Sequence, residues 1–293
     1  MTGLADFAQH RDLLFTVAYE ITASIADAED VVQDSYLRWA ELDETRREQI
    51  ENPRAYLAQI ATRQALNRLR TRSRQREDYV GPWLPEPLIT GQDVAQDVEL
   101  AESVSMAMML VVESLSPDER AVFLLHEVFG FAHDEIADAV DKSPAAVRQI
   151  AHRARAHVQA RRPRFPQDEA AAQRVAARFM VATRTGDLQG LMDVLAPDVV
   201  LLNDGGGKVR AALRPVITAD RVARLLVGLR AGLGELTYTP AVVNGRPGAF
   251  VYLDGTLDTV VTVEIEGDLV TGVYLIRNPD KLGAVGSTQV LGR

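Results

Sequence analysis

The stretch Asp204-Gly205-Gly206-Gly207-Lys208-Val209 puts a lysine directly after three glycines, a pairing that in nucleotide-binding loops cradles phosphate. Such a loop needs another glycine five residues before the last one, so that backbone N–H groups wrap the phosphates. It also needs a Ser or Thr after the lysine to reach Mg²⁺. Leu202 and Val209 occupy those two positions. The stretch is therefore read as a flexible glycine turn after a strand, and nucleotide binding is not expected of it.

Cations offer a second chemistry. Residues 52–76 hold seven Arg and no acid, and residues 142–164 hold one Lys and six Arg, again without an acid. These 48 residues carry +14 of a net charge of -9, which leaves -23 on the other 245. Local potential, rather than the sum, attracts a polyanion. Wound at 100° per residue, Leu57, Ala61, Ala65 and Leu69 form a core stripe, while Tyr56, Arg63, Asn67, Arg70 and Arg74 share another arc. Cations track phosphates, an amide reads a base edge, and an aromatic ring stacks on an unpaired base. The bland alternative for such a face is solvation.

The second basic run has the layout of a helix-turn-helix: "HDEIADAV", a short turn "DKSP", then "PAAVRQIAHRARAHVQ". Val147, Ile150, Ala151, Ala154 and Val158 form its apolar arc. Arg148, His152, Arg155 and Gln159 lie on another arc with Gln149 nearby, groups able to pair with guanine, adenine or phosphate. Asp141 stands where such turns usually carry Gly. His152 and His157 are conceivable metal ligands, but no third partner of suitable spacing appears, so no metal is expected. Asp204, Asp258 and Glu264 are the acids that an enzyme built on the C-terminal part would use. None has an identifiable partner to raise its pKa. Asp258 and Glu264, six apart, share a face if their strand is unbroken.

The elements that must position these groups follow from periodicity. Helices are predicted through the first ~78 residues, with Asn52-Pro53 opening a long one. "GPWLPEPLITGQ" (81–92) reads as a linker, followed by a second helical block to about 162 and a boundary at "RPRFPQ". Beyond it come a helix near 168–185, a short one near 187–195, a strand "VVLLND", a helix near 218–231, and hairpin-rich sequence. With 47% hydrophobic and 25% charged residues, disorder is not expected as the main state. The absence of cysteine excludes a disulfide framework and suits a reducing compartment. No signal peptide is apparent and no stretch approaches ~18 apolar residues, so a cytoplasmic protein is expected.

These motifs resemble a known family. "DAEDVVQDSYLRWAE" (27–41) is similar to the core-polymerase-binding helix in region 2 of extracytoplasmic-function (ECF) sigma factors. "NPRAYLAQIATRQALNRLRTR" (52–72) is similar to the helix that opens the minus-ten element, and residues 115–158 are similar to region 4, which reads the minus-thirty-five element. "WLPEP" (83–87), "DGGGKV" (204–209) and "NPDKL" (278–282) resemble signature stretches of a subgroup with a fused SnoaL-like domain.

The resemblance implies a sigma factor, not an enzyme and without a cofactor, whose partners are core RNA polymerase and promoter DNA. A small ligand in the last domain is left open. It implies region 2 at 1–80, a linker at 81–108, region 4 at 109–162 and a regulatory SnoaL-like domain at 168–293. The fold expected is two all-α domains plus an α+β cone with a curved antiparallel sheet. Asp30, Val31, Gln33, Asp34 and Leu37 would contact polymerase. Tyr56, Arg63, Asn67, Arg70 and Arg74 would hold melted strand, and Arg148, Gln149, His152, Arg153 and Arg155 would read upstream DNA. Trp83, Asp204, Gly205, Gly206, Gly207, Lys208, Asn278, Pro279, Asp280 and Lys281 would serve interdomain regulation. The acidic linker residues Asp93, Asp97, Glu99 and Glu102 would mimic nucleic acid inside the polymerase, with a solvated connector as the alternative. Two rivals remain: a stand-alone helix-turn-helix repressor, and a helix-turn-helix regulator whose last domain binds or turns over a small apolar ligand.

Overall fold

The computed structural model describes residues 2–91, 97–161, 168–231, 234–283, 285 and 288–293. The Arg74 side chain and Asp93 lie outside what is described. The chain divides into two compact units, one of residues 1–78, 108–162 and 290–293, the other of residues 79–107 and 163–289.

The first unit is helical among its described residues. It begins with α1 (Thr2–Thr22), α2 (Ile25–Ala40), α3 (Glu44–Glu48) and α4 (Pro53–Glu77). Starts are set by side chains that accept orphan amides: Ser24 from Asp27 N–H, Asp43 from Arg46 N–H, and Asn52 from Ala55 N–H. Leu14, Phe15, Ala18, Val31, Trp39, Leu57, Ala61 and Ala65 are buried between α1, α2 and α4. Next in sequence comes α5 (Val98–Ser103), which belongs to the second unit.

The helical unit resumes with α6 (Met106–Glu113) and α7 (Pro117–Phe123), which passes into a π-helical turn at Leu124–Val128. Then come α8 (His133–Val140) and α9 (Pro144–Gln159). A reciprocal cap between Ser116 and Glu119 starts α7, and Ser143 with Pro144 starts α9. Asp141, between α8 and α9, has φ 56°, the left-handed conformation that glycine adopts most easily. The buried Arg120 of α7 donates to Ile21 O on α1 at 2.9 Å and to Glu113 O at 2.9 Å, joining the two halves.

In the second unit, α10 (Glu169–Thr185) and α11 (Leu188–Met192) lead into β1 (Leu195–Asp204), β2 (Val216–Ile217) and α12 (Ala219–Ala231). The strands β3 (Leu236–Val243), β4 (Arg246–Leu253), β5 (Thr256–Glu266) and β6 (Leu269–Ile276) follow, closed by α13 (Pro279–Leu282). Among the described residues they form one sheet of order β2-β1-β6-β5-β4-β3.

This corrects the expected cone with a curved antiparallel sheet. The sheet is open and mixed: β2 and β3 are its two edges, β1 runs parallel to β6, and the other four adjacent pairs are antiparallel. After β1 the chain crosses over through α12, enters at the far edge with β3 and meanders back. The last strand therefore arrives beside the first in the same direction. One sheet face, with Ala249, Val251, Val261, Val263, Ile265, Val273 and Leu275, packs under Phe179 of α10 and Leu226 of α12.

Candidate nucleic-acid interface and linker clasp

On α2, Asp30, Gln33, Asp34 and Leu37 recur at i, i+3, i+4 and i+7, which sets them on one face. Asp30, Gln33 and Leu37 are exposed, and Leu37 keeps 51% of its surface in solvent. Val31 points inward and is fully buried, so it anchors the helix. Arg68 of α4 forks across the acids, 2.8 Å from Asp30 and 3.0 Å from Asp34, and Arg72 pairs with the buried Asp27 at 2.9 Å. Those arginines lie in the basic run yet fix the acidic face of α2.

The strand-facing arc of α4 carries Arg63, Asn67 and Arg70, all exposed as residues, with Tyr56 half-buried against Trp39 at 6.0 Å between ring centroids. Their partners come from α7, α8 and the turn after it. Arg63 donates to Asp138 O at 2.5 Å, and Arg70 sits 3.0 Å from Asp118, whose other oxygen is 2.8 Å from Lys142. Burial would raise the Asp118 pKa, but Lys142 and Arg70 outweigh it and hold the carboxyl below its ordinary range. On α9, Arg148, Gln149, His152, Arg153 and Arg155 are exposed while Val147, Ile150, Ala151, Ala154 and Val158 are buried. Glu127 holds Arg155 at 2.5 Å, and Ser114 hydrogen-bonds His157 at 2.8 Å. No cluster of three His, Cys, Asp or Glu suited to a metal occurs among the described residues.

The glycine stretch has a different task. Asp204, fully buried at the end of β1, accepts from Tyr79 Oη at 2.5 Å, from Leu84 N–H at 2.9 Å and from Lys281 Nζ at 2.7 Å. Lys281 also donates to Leu84 O and lies over the rings of Trp83 at 4.1 Å and Tyr79 at 5.0 Å. Burial first, then the Asp204 carboxylate, push the Tyr79 pKa far above its ordinary value, so its hydroxyl stays a donor. Asn278 donates to the same hydroxyl at 2.9 Å and caps α13, bringing Pro279, Asp280 and Lys281 into place. Lys208 pairs with Asp280 at 2.5 Å.

Gly206 and Gly207 have φ of 60° and 70°; a Cβ on Gly206 would lie 2.4 Å from Asn278 Nδ2, and one on Gly207 3.1 Å from Val80. A Cβ on Gly205 would strike Val209 O at 2.6 Å. The loop is glycine because its backbone passes flush against Asn278 and Val80 at Gly206 and Gly207, and against its own return at Gly205. "WLPEP", "DGGGKV" and "NPDKL" thus meet within one unit, where the last two grip the first, a stretch of the linker.

A second clasp holds the linker further along. Leu88, fully buried, uses both of its backbone groups on the β3–β4 turn: Asn244 N–H donates to Leu88 O at 2.7 Å, and the Asn244 side-chain Oδ1 accepts Leu88 N–H at 3.0 Å. Asn244 also donates to Val104 O at 2.8 Å. Asp97 caps α5. Glu99 is exposed and Glu102 half-buried, while Leu100, Ala101 and Val104 are buried. Tyr79, Leu84 and Asn244 escape sequence reasoning because their partners stand 120 to 199 residues away in the chain. The signal available was the Asn-Gly of a hairpin turn, which names a turn but not what it holds.

The three acids weighed for enzyme chemistry do not converge. Asp204 is committed to the linker. Asp258 is the extra residue where β5 slips register against β4, so alternation breaks there and the shared face with Glu264 is lost. It pairs with Arg277 at 2.8 Å beside a cavity of about 70 Å³. Burial opposes its charge, yet Arg277 and Thr259 hold the carboxyl below its ordinary range. Glu264 lies on the opposite sheet face, with Arg246 at 3.7 Å. A larger groove of about 850 Å³ runs between α10 and β3–β4, lined by Gln173, Met180, Arg184 and Tyr238 among others.

Residues 7–75 match the family described as Sigma-70 region 2, and residues 105–158 the one described as Sigma-70, region 4. The ECF RNA polymerase sigma factor SigJ of Mycobacterium tuberculosis is 37% identical over 292 residues, spanning 95% of this chain and 92% of the relative. This chain belongs to the ECF RNA polymerase sigma factors. As one, it serves promoter-directed transcription initiation and is not an enzyme. A probable ECF sigma factor of the same species, SigI, is 29% identical over 283 residues, covering 95% of this sigma factor and 94% of the relative. The crystal structure of M. tuberculosis SigJ superposes with a TM-score of 0.76 at 34% identity, covering 98% of this sigma factor and 100% of that chain. No helix among the described residues of the sigma factor is long and apolar enough to cross a membrane.

Proposed function

We propose that this sigma factor engages core polymerase through Asp30, Gln33, Asp34 and Leu37, holds the melted minus-ten strand on Tyr56, Arg63, Asn67 and Arg70, and reads the minus-thirty-five element with Arg148, Gln149, His152, Arg153 and Arg155. Its C-terminal unit, which we liken to SnoaL-like domains, restrains it in cis by gripping the linker. The observation that carries the regulatory part is the buried Asp204–Lys281 pair closing on Leu84 and Trp83. A pair that is 0% and 8% exposed is costly to assemble, and here it holds both backbone groups of Leu84, the Tyr79 hydroxyl and the Trp83 ring, with Gly206 N–H completing the carboxylate's partners. The linker's acids can act inside the polymerase only after this grip loosens.

In promoter-specific transcription with purified core polymerase, Lys281→Ala is expected to raise transcript yield about threefold or more, while core binding, measured by co-purification, stays unchanged. Unchanged yield, or a fall to the level of a chain ending at residue 162, would overturn the restraining role. The family function is tested separately: wild-type chain plus core must give a promoter-specific transcript.

A further inference from the structure

We propose that Glu127 is a specificity-determining residue of upstream recognition: it holds Arg155 side-on, so that this arginine reads a base edge and is denied the phosphate backbone. The proposal rests on the assignment of Arg155 to the minus-thirty-five element. Arg148, His152 and Arg155 recur at i, i+4 and i+7 on α9 and therefore share one face. The arginines of α9 are held differently. Arg153 stands 4.0 Å from Glu119, too far for a hydrogen bond. Arg155 is clamped: Oε1 of Glu127 accepts from its Nε at 3.1 Å and from its Nη2 at 2.5 Å.

One carboxylate oxygen thus takes both donors along one edge of the guanidinium. The opposite fork, Nη1 and the second proton of Nη2, is left for DNA, and the side chain keeps 46% of its surface in solvent. That fork fits O6 and N7 of guanine, and it fits a phosphate equally well. Charge decides between them. A phosphate would lie beside the Glu127 carboxylate and be repelled by it, whereas a guanine edge carries no net charge. Glu127 stands in the π-helical turn Leu124–Val128, where Phe129 N–H closes on Leu124 O at 3.2 Å. This turn, wider than an α-helical one, shifts the carboxylate round the axis relative to the register of α7. Leu124, Leu125 and Phe129 are buried beneath it, so the clamp rises from a packed base. A half-exposed ion pair adds little to stability. Its consequence is for the choice among DNA sequences.

The test uses holoenzyme reconstituted with the full chain and a promoter duplex whose upstream element is a randomised pool, with the bound fraction sequenced. A scrambled duplex is titrated in parallel across a range of salt. The wild-type chain is expected to select guanine at the position Arg155 faces. Arg155→Ala should lose that selection without gaining affinity for the scrambled duplex. Glu127→Gln keeps the size and an acceptor but removes the charge. It should lower selection at the same position about fivefold and tighten scrambled-duplex binding about threefold, with a slope of log affinity against log salt more negative by about 0.9, the mark of one added phosphate contact. The double variant should match Arg155→Ala in all three measurements, because Glu127 acts only through that arginine. A loss of fold at Glu127 would neither steepen the salt slope nor confine itself to one base position. Unchanged selection and slope in Glu127→Gln would overturn the positioning role, and so would a gain that persists in the double variant. Two outcomes separate the ideas. If Arg155→Ala keeps every base preference, the assignment of Arg155 falls and the proposal with it; if it loses one that Glu127→Gln retains, only the positioning role falls.

Discussion

Glu264 carries a buried carboxyl group on the sheet face away from α10 and α12, within reach of the Ala107 backbone of the same unit. Burial drives its pKa from 4.5 up to about 7, opposed by Arg246 and by the Ala107 N–H; Glu102 pushes the same way as burial, and Tyr274 faces it from β6. Because the folded value exceeds the unfolded one, the native state holds an extra proton between them. Stability is then fullest below about pH 4.5 and declines as pH rises through 7, by on the order of 3 kcal/mol at most. Urea midpoints of wild type and Glu264→Gln, compared from pH 5 to 8, should show that decline in the wild type and a flatter profile in the variant. Lys281 is the second residue with a sharp expectation. Lys281→Met leaves the Asp204 carboxylate buried without its cation, which costs about 3–5 kcal/mol in such settings. The unfolding midpoint of the second unit should fall accordingly, and an unchanged midpoint would show that the Tyr79, Leu84 and Gly206 donors suffice.

Between α8 and α9, Asp141 takes the left-handed turn conformation at a cost of roughly 1 kcal/mol for a residue with a Cβ. Asp141→Gly should therefore raise thermal stability slightly, by about 0.5–1 kcal/mol, measured by calorimetry. On α9, Arg148→Ala should cost about 1–3 kcal/mol at one position of the upstream element. Equal loss on scrambled upstream DNA would remove the base-reading role. Legibility differs among these elements for physical reasons. The stripe from Val147 to Val158 and the one from Leu57 to Leu69 are readable because helical burial repeats within a few residues. The parallel pairing of β1 with β6 is not, since Leu201 meets Val273 across a crossover that no local period records. The linker is misread most easily of all. Its prolines and glycines give a loop composition, while the buried Leu84 and Leu88 are held by a strand end and a turn more than a hundred residues distant.

Over the whole chain, the second unit is needed to keep the linker out of water. Removing residues 163–293 would expose Leu84, Leu88, Leu100 and Val104 together and leave Trp83 without Lys281. The truncated chain should bind a hydrophobic dye more strongly than the full protein and aggregate at lower concentration, as followed by light scattering. Full solubility without dye binding would mean the linker repacks within the helical unit. The composition of the second unit has one more consequence. Residues 79–107 and 163–289 fold together, and in sequence region 4, which folds with the first unit, is spliced between them. Grafting between related factors should respect that junction. A chimaera that exchanges residues 108–162 keeps both clasps matched, whereas one that exchanges residues 79–162 brings in a foreign linker, to which the resident Asp204, Asn244 and Lys281 must then fit.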